Sequence, residues 1–140
     1  MRTIKFRAWH IEEKKMCEVS IINFESGTFL LGAKQGEDII SGGFHIPAPE
    51  DGRFCAWDEF ELMQFTGLTD KNGVKIYEGD VIKCISKNEF SKGNINYHEV
   101  LFGSCCWWAK GTMFNLAEIL DYGDCYVKGN IHENPELIQH

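Results

Sequence analysis

The sequence predicts a mainly β protein. An irregular β-rich N-terminal part spans residues 1–60, and an SH3-like small β-barrel with one short helix spans 61–140. Three observations carry this reading. Short apolar runs recur with a period of two, the mark of half-buried strands. Tight-turn residues separate those runs, above all Asp70-Lys71-Asn72-Gly73 and Glu78-Gly79-Asp80. Only one stretch, from Asn115 to Gly123, carries helix start and stop signals.

Taken in order, Thr3 to Trp9 alternates, with Ile4, Phe6 and Ala8 on one side and Thr3, Lys5, Arg7 and Trp9 on the other. The charged stretch His10 to Lys15 breaks the pattern, and Met16 to Ile22 reads as the returning strand of a hairpin with a loop longer than two residues. From Asn23 to Gly52 the pattern loosens under repeated Gly and Pro, with Phe29-Leu30-Leu31 and Ile39-Ile40 as short strand candidates. The stretch Phe54 to Glu61 leads into the centre without a clear periodicity of its own.

The segment Glu61 to Asp80 organises the rest. Leu62 to Phe65 is a strand, Asn72-Gly73 supplies the positive φ of a hairpin turn, and Val74, Ile76 and Tyr77 return. Gly79-Asp80 turns the chain again into Val81 to Ile85, so a continuous three-stranded meander is expected at the core. Ser86 to Asn94 is a polar loop, and Ile95 to Phe102 alternates again, with Ile95, Tyr97, Glu99 and Leu101 on one side. Gly103-Ser104 breaks the chain before Cys105-Cys106-Trp107-Trp108. Asn115 is a helix cap with Glu118 as its capping-box partner, and Leu116, Ile119 and Leu120 share one face. Cys125 to Ile131 is a last strand, and Asn134-Pro135 opens a closing helical bend. Strands introduced by Gly-Asp, a polar loop and a second strand pair give the SH3-like expectation for this half.

Composition bounds the function. The chain has 140 residues, 44% of them hydrophobic and 13% aromatic, enough to bury a core. Its formal net charge is -7, which disfavours wholesale contact with phosphate backbones. The opening MRTIKFRAW lacks an apolar signal region, and no apolar run reaches the roughly 20 residues that span a bilayer, so the expectation is a cytoplasmic protein without membrane partners. Six cysteines in such a chain read as free thiols, with Cys17, Cys55, Cys84 and Cys125 as small buried hydrophobes.

Several blocks together resemble the YopX family of phage and prophage proteins. They are Ile4 to Trp9, Leu62 to Leu68, Asp70 to Gly73, Ile76 to Asp80, Gly129 to Ile131 and Glu133 to Leu137. The resemblance runs through nearly the whole chain, more loosely over Asn23 to Arg53 and Ser86 to Thr112. It implies a cytoplasmic protein of phage or prophage origin, with an irregular β-rich part used in self-association ahead of an SH3-like barrel. It brings no catalytic residues and no biochemical role to carry over.

Each candidate chemistry has a plainer reading beside it. Metal binding needs paired ligands such as Cys-x-x-Cys, which do not occur; Cys105, Cys106, Cys125 and His98 are the places to look. Neither metal nor cofactor is expected. Thiol catalysis by Cys105 with His98 competes with plain burial beside Trp107 and Trp108. Glu78, Asp80, Glu133 and Glu136 read as turn carboxylates rather than an acid–base pair, and Gly42-Gly43 precedes no phosphate-binding helix. No enzyme is expected.

A nucleic-acid-binding module would use a basic strip of Arg2, Lys5 and Arg7 with Tyr97, Phe102, Trp107 and Trp108 as stacking rings. The bland alternative is that a small barrel needs those aromatics as core. A further alternative is a small-ligand or nucleotide-derivative binder at a subunit interface. The preferred reading is a non-enzymatic homo-oligomer that binds a host or phage macromolecule. Its self-contact would be built from Ile39, Ile40, Phe44 and Ile46, unless these cover the monomer's own core.

Overall fold

The structure is a computed structural model that describes residues 2–12, 14–23, 28–31, 54–56 and 60–139. It divides into two compact units, residues 5–63 and residues 64–140 together with 1–4. Ile39, Ile40, Phe44 and Ile46 lie outside the described residues.

In the first unit, β1 (Phe6–His10), β2 (Lys15–Asn23), β3 (Thr28–Leu31) and β4 (Phe54–Ala56) pair antiparallel in sequence. The start of β5 (Phe60–Thr69) adds to the other side of β1. β1 and β2 form the expected hairpin, with Arg7 opposite Glu18 and His10 opposite Lys15. The return is held by the Lys14 N–H donating to the His10 carbonyl at 2.9 Å. Ala8 and Phe60 form a small core against Cys17, Val19, Ile22 and Leu62, and His10 meets the Phe60 ring edge-on at 4.5 Å. Trp9, on the side that carries Lys5 and Arg7, is buried, so that side of β1 is covered at this position.

In the second unit, the rest of β5 pairs with β6 (Lys75–Tyr77). A four-stranded antiparallel sheet has the order β10-β7-β8-β9, formed by β7 (Asp80–Ser86), β8 (Ile95–Gly103), β9 (Cys106–Ala109) and β10 (Gly123–Asn130). Helix α1 (Leu116–Tyr122) lies between β9 and β10 in sequence. The unit is a small β-barrel-like fold, mainly strand with a single short helix, as predicted. Ile76, Ile82, Cys84, Val100, Ala109, Leu116 and Cys125 make its core, flanked by Leu68, Trp107, Ile119, Leu120 and Val127.

The expected meander is divided. β5 and β6 form a hairpin, but β7 leaves β6 and enters the other sheet between β8 and β10. The reason lies at the corner. Asp80 Oδ2 accepts the Tyr77 N–H at 2.8 Å, and Gly79, at φ +80, donates its N–H to the Val100 carbonyl at 2.8 Å. That geometry bends the chain from one sheet into the next instead of folding it back on itself.

The first turn is as expected. Asp70 Oδ1 accepts the N–H groups of Asn72 at 2.8 Å and Val74 at 2.9 Å, and Gly73 takes φ +80. Helix α1 carries the full capping box: Glu118 N–H donates to Asn115 Oδ1, and Asn115 N–H donates to Glu118 Oε2, both at 2.9 Å. After β10, Asn130 Oδ1 accepts the N–H groups of His132 and Glu133, and Pro135 begins a single 3-10 turn to Leu137.

Candidate functional site

The helix stands between two clefts of the second unit. The larger, about 860 Å³, is lined by Ser86, Asn96, His98, Met113, Phe114 and Tyr122 among others. Each wall has a local cause. The Ser86 and Ser91 hydroxyls meet at 2.7 Å and tie down the β7–β8 loop. His98 Nδ1 lies 3.1 Å from the Lys110 carbonyl, which orients the imidazole. Thr112 donates its hydroxyl to the Ala109 carbonyl at 2.8 Å and accepts the Phe114 N–H at 3.3 Å, so the loop before the helix has a fixed shape. That shape leaves Met113 92% exposed, with Phe114 stacked edge-on to Tyr122 at 5.0 Å.

The smaller cleft, about 470 Å³, takes Ala117 and Leu120 from the helix, and Lys71, Lys87, Asp124 and Cys125 from its surroundings. Asp124 Oδ1 receives both lysines, Lys71 Nζ at 2.7 Å and Lys87 Nζ at 2.9 Å. These two ammonium groups, Lys71 first, hold the Asp124 carboxyl below its usual range, and Asp124 in turn raises Lys71. Chemically, the larger cleft offers apolar area with a few polar anchors, and the smaller one a charged rim.

The residues singled out for nucleic-acid contact fall in both units, and their rings on two faces of one sheet. Arg2 belongs to the second unit, Lys5 and Arg7 to the first. Arg7 is half-buried and its guanidinium lies 3.9 Å from Met63 Sδ. Trp107 stands opposite Phe102 and meets its ring edge-on at 5.0 Å, against the barrel core. Trp108 is next along the strand, so it points to the opposite face, and donates its indole N–H to the Gly103 carbonyl. Tyr97 lies on β8 opposite Lys83, four residues from Leu101 and hence on the Trp108 face. The rings are therefore shared between two faces.

Cys105 does not sit on a strand. It is at the tip of the β8–β9 hairpin with Ser104, both with positive φ, as a two-residue turn requires. His98 precedes the strand's end, Gly103, by five residues, roughly 16 Å of strand, so the two do not meet. Among the described residues no three His, Cys, Asp or Glu side chains converge as a metal site would need. No helix among them is long and apolar enough to cross a membrane.

One relationship escaped the sequence. Cys84 and Cys125, expected only as buried hydrophobes, face each other across β7 and β10 with their sulfurs 2.7 Å apart. Their spacing along the chain carries no motif; only the strand register unites them.

Residues 5–139 match the family described as YopX protein. The chain belongs to the YopX family. It is also similar to the crystal structure of protein EF1440 from Enterococcus faecalis, with a TM-score of 0.68 and 27% identity over 99% of this chain and 100% of that one. No curated protein matches it. Within this YopX chain, the blocks that suggested the family serve the fold. Asp70, Asp80 and Asn130 are buried polar residues whose side chains accept backbone N–H bonds at turns, and Gly73 and Gly79 supply positive φ.

Proposed function

We propose that this YopX-family chain is a non-enzymatic interaction protein of phage or prophage origin that assembles with copies of itself and binds a host or phage macromolecule. The observation that supports it is the apolar rim of the larger cleft, where Met113 is 92% exposed, Tyr122 55% and Phe114 43%. Aromatic and Met side chains gathered on one exposed edge are the composition of the buried centre of an interface. The segment with Ile39, Ile40, Phe44 and Ile46 offers the self-association element, by its apolar sequence.

Light scattering coupled to size exclusion tests this reading, on the native chain and on Met113→Asp, Ile40→Asp and Phe44→Asp. A defined oligomer that one of these substitutions dissociates is the expected result. A monomer across the whole concentration range overturns it.

A second reading has its own support. The larger cleft falls within the about 300–1,000 Å³ of small-molecule sites, and Ser86, Asn96 and His98 give it a few polar anchors on an apolar wall. A small-ligand or nucleotide-derivative binder predicts a sharp thermal shift with one compound class, lost in His98→Ala.

A further inference from the structure

Cys84 on β7 and Cys125 on β10 are directly opposed in an antiparallel ladder. Such pairs hold their Cα atoms about 4.5–5.5 Å apart, inside the about 4.4–6.8 Å that a disulfide accepts. Both are free thiols with sulfurs 2.7 Å apart. Bridging them therefore needs no movement of the backbone.

We propose that Cys84 and Cys125 form a reversible dithiol–disulfide couple oxidised by a small peroxide. Both residues are buried, at 6% and 1% exposure, and each borders a cleft, Cys84 the larger and Cys125 the smaller, from which a small polar oxidant approaches the pair. In the neutral pair Cys125 donates toward Cys84. The hydrogen bond with Cys84, helped by Lys87, holds the Cys125 thiol below its usual value against burial and Asp124. The same bond, with burial, pushes Cys84 up.

The chemistry balances. One thiolate of the pair attacks a peroxide oxygen, the O–O bond breaks, and the departing hydroxide takes up the proton which that thiol released and leaves as water. The resulting sulfenic acid is then attacked by the second sulfur. The S–O bond breaks, and the proton of the second thiol leaves with the hydroxide as a second water. Two thiols and one peroxide become one disulfide and two waters, the sulfurs having given up two electrons. A thiol reductant reverses the bond by exchange. The bridge closes a span of 41 positions and fixes β7 to β10 beside the helix, whose Ile119 carbonyl lies 3.5 Å from Cys125 Sγ.

The test uses the full chain with C17S, C55S, C105S and C106S, which leaves only this pair. Hydrogen peroxide should remove two hydrogens from the intact mass, yield a peptide linking Cys84 to Cys125, and raise Tm by roughly 10 °C, all reversed by dithiothreitol. Adding C84S or C125S should abolish that loss of two hydrogens and leave, on the remaining cysteine, a sulfenic acid that dimedone traps. Two thiols that stay fully alkylatable, under peroxide that oxidises free cysteine, overturn the couple. Should the four-serine chain fail to fold, the linked peptide is sought in the peroxide-treated native chain, and its absence there is equally decisive.

Discussion

Asp70 Oδ2 accepts the backbone N–H of Val127 at 2.9 Å, across 57 positions of sequence. Its other oxygen already holds the Asn72 and Val74 N–H groups of the β5–β6 turn. The neighbouring Lys71 N–H donates to the Cys125 carbonyl at 3.0 Å. One buried carboxylate thus shapes a hairpin and occupies the edge of β10 that faces away from β7, an edge that would otherwise be open to pairing.

Asp70→Ala strips three backbone donors of their acceptor in a site only 7% exposed. A loss of about 3 kcal/mol is expected in urea denaturation, since bonds to a charged acceptor are worth about 1.5–3 kcal/mol each and water replaces part of them. Asp70→Asn keeps an acceptor and should lose clearly less. Equal losses in the two variants would contradict the hydrogen-bond account.

Two glycines are needed for different reasons. Gly73 sits at φ +80 with open space where a methyl group would stand, so Gly73→Ala should cost about 1 kcal/mol through backbone conformation alone. Gly123 has an ordinary extended φ, but a Cβ there would lie 2.9 Å from the Ile85 carbonyl oxygen. Gly123→Ala should cost about 1–3 kcal/mol through that clash. Replacing Gly73 with Asn, which tolerates positive φ, should recover part of the first loss; at Gly123 it should recover nothing.

The surface and the core should respond oppositely to substitution. Met113→Asp, at an exposed site, should change stability by no more than about 0.5 kcal/mol. Ile82→Ala, at a fully buried one, should lose about 3 kcal/mol. A strongly destabilised Met113→Asp would mean that this side chain supports the fold and does not serve an interface.

Asp124 and Lys71 set a pH window. The Asp124 carboxyl is held below its ordinary 3.8 in the folded chain, so its contribution is complete above that value and is lost as pH falls through the depressed one. Lys71 is raised above 10.5, so its part is complete below 10.5 and is lost as pH climbs through the raised value. Both effects are small, since the groups are solvent-exposed. Asp124→Asn should flatten the acid limb and shrink the alkaline one; unchanged denaturation curves from acid to alkali would remove the pair from the account.

The sequence is most legible where structure is local. The capping box of Asn115 and Glu118 and the turn Asp70 to Gly73 depend on residues within four positions, so their chemistry can be read directly. The strand from Ile95 is read correctly, but its burial does not alternate: only Val100 is buried, on the side opposite Ile95, Tyr97, Glu99 and Leu101, and Ile95 and Phe102 stay exposed. Alternation puts Trp9 on the side of Lys5 and Arg7 but does not tell that the indole is buried there, because burial depends on what packs against that side. That Cys105 belongs to a turn is not legible, because nothing in Ser104-Cys105 announces positive φ.

The β-rich class, the turns and helix α1 are legible in the residues alone, because each rests on periodicity or on hydrogen bonds between near neighbours, and the family is legible as a resemblance carried by blocks of residues. Long-range packing alone settles that β7 leaves β6 for a second sheet, that Asp70 reaches Val127, and that Cys84 meets Cys125. The last two contacts join residues 57 and 41 positions apart. Their partners are fixed by strand register, which is set by how all the strands of a sheet pack at once and not by any short stretch of chain.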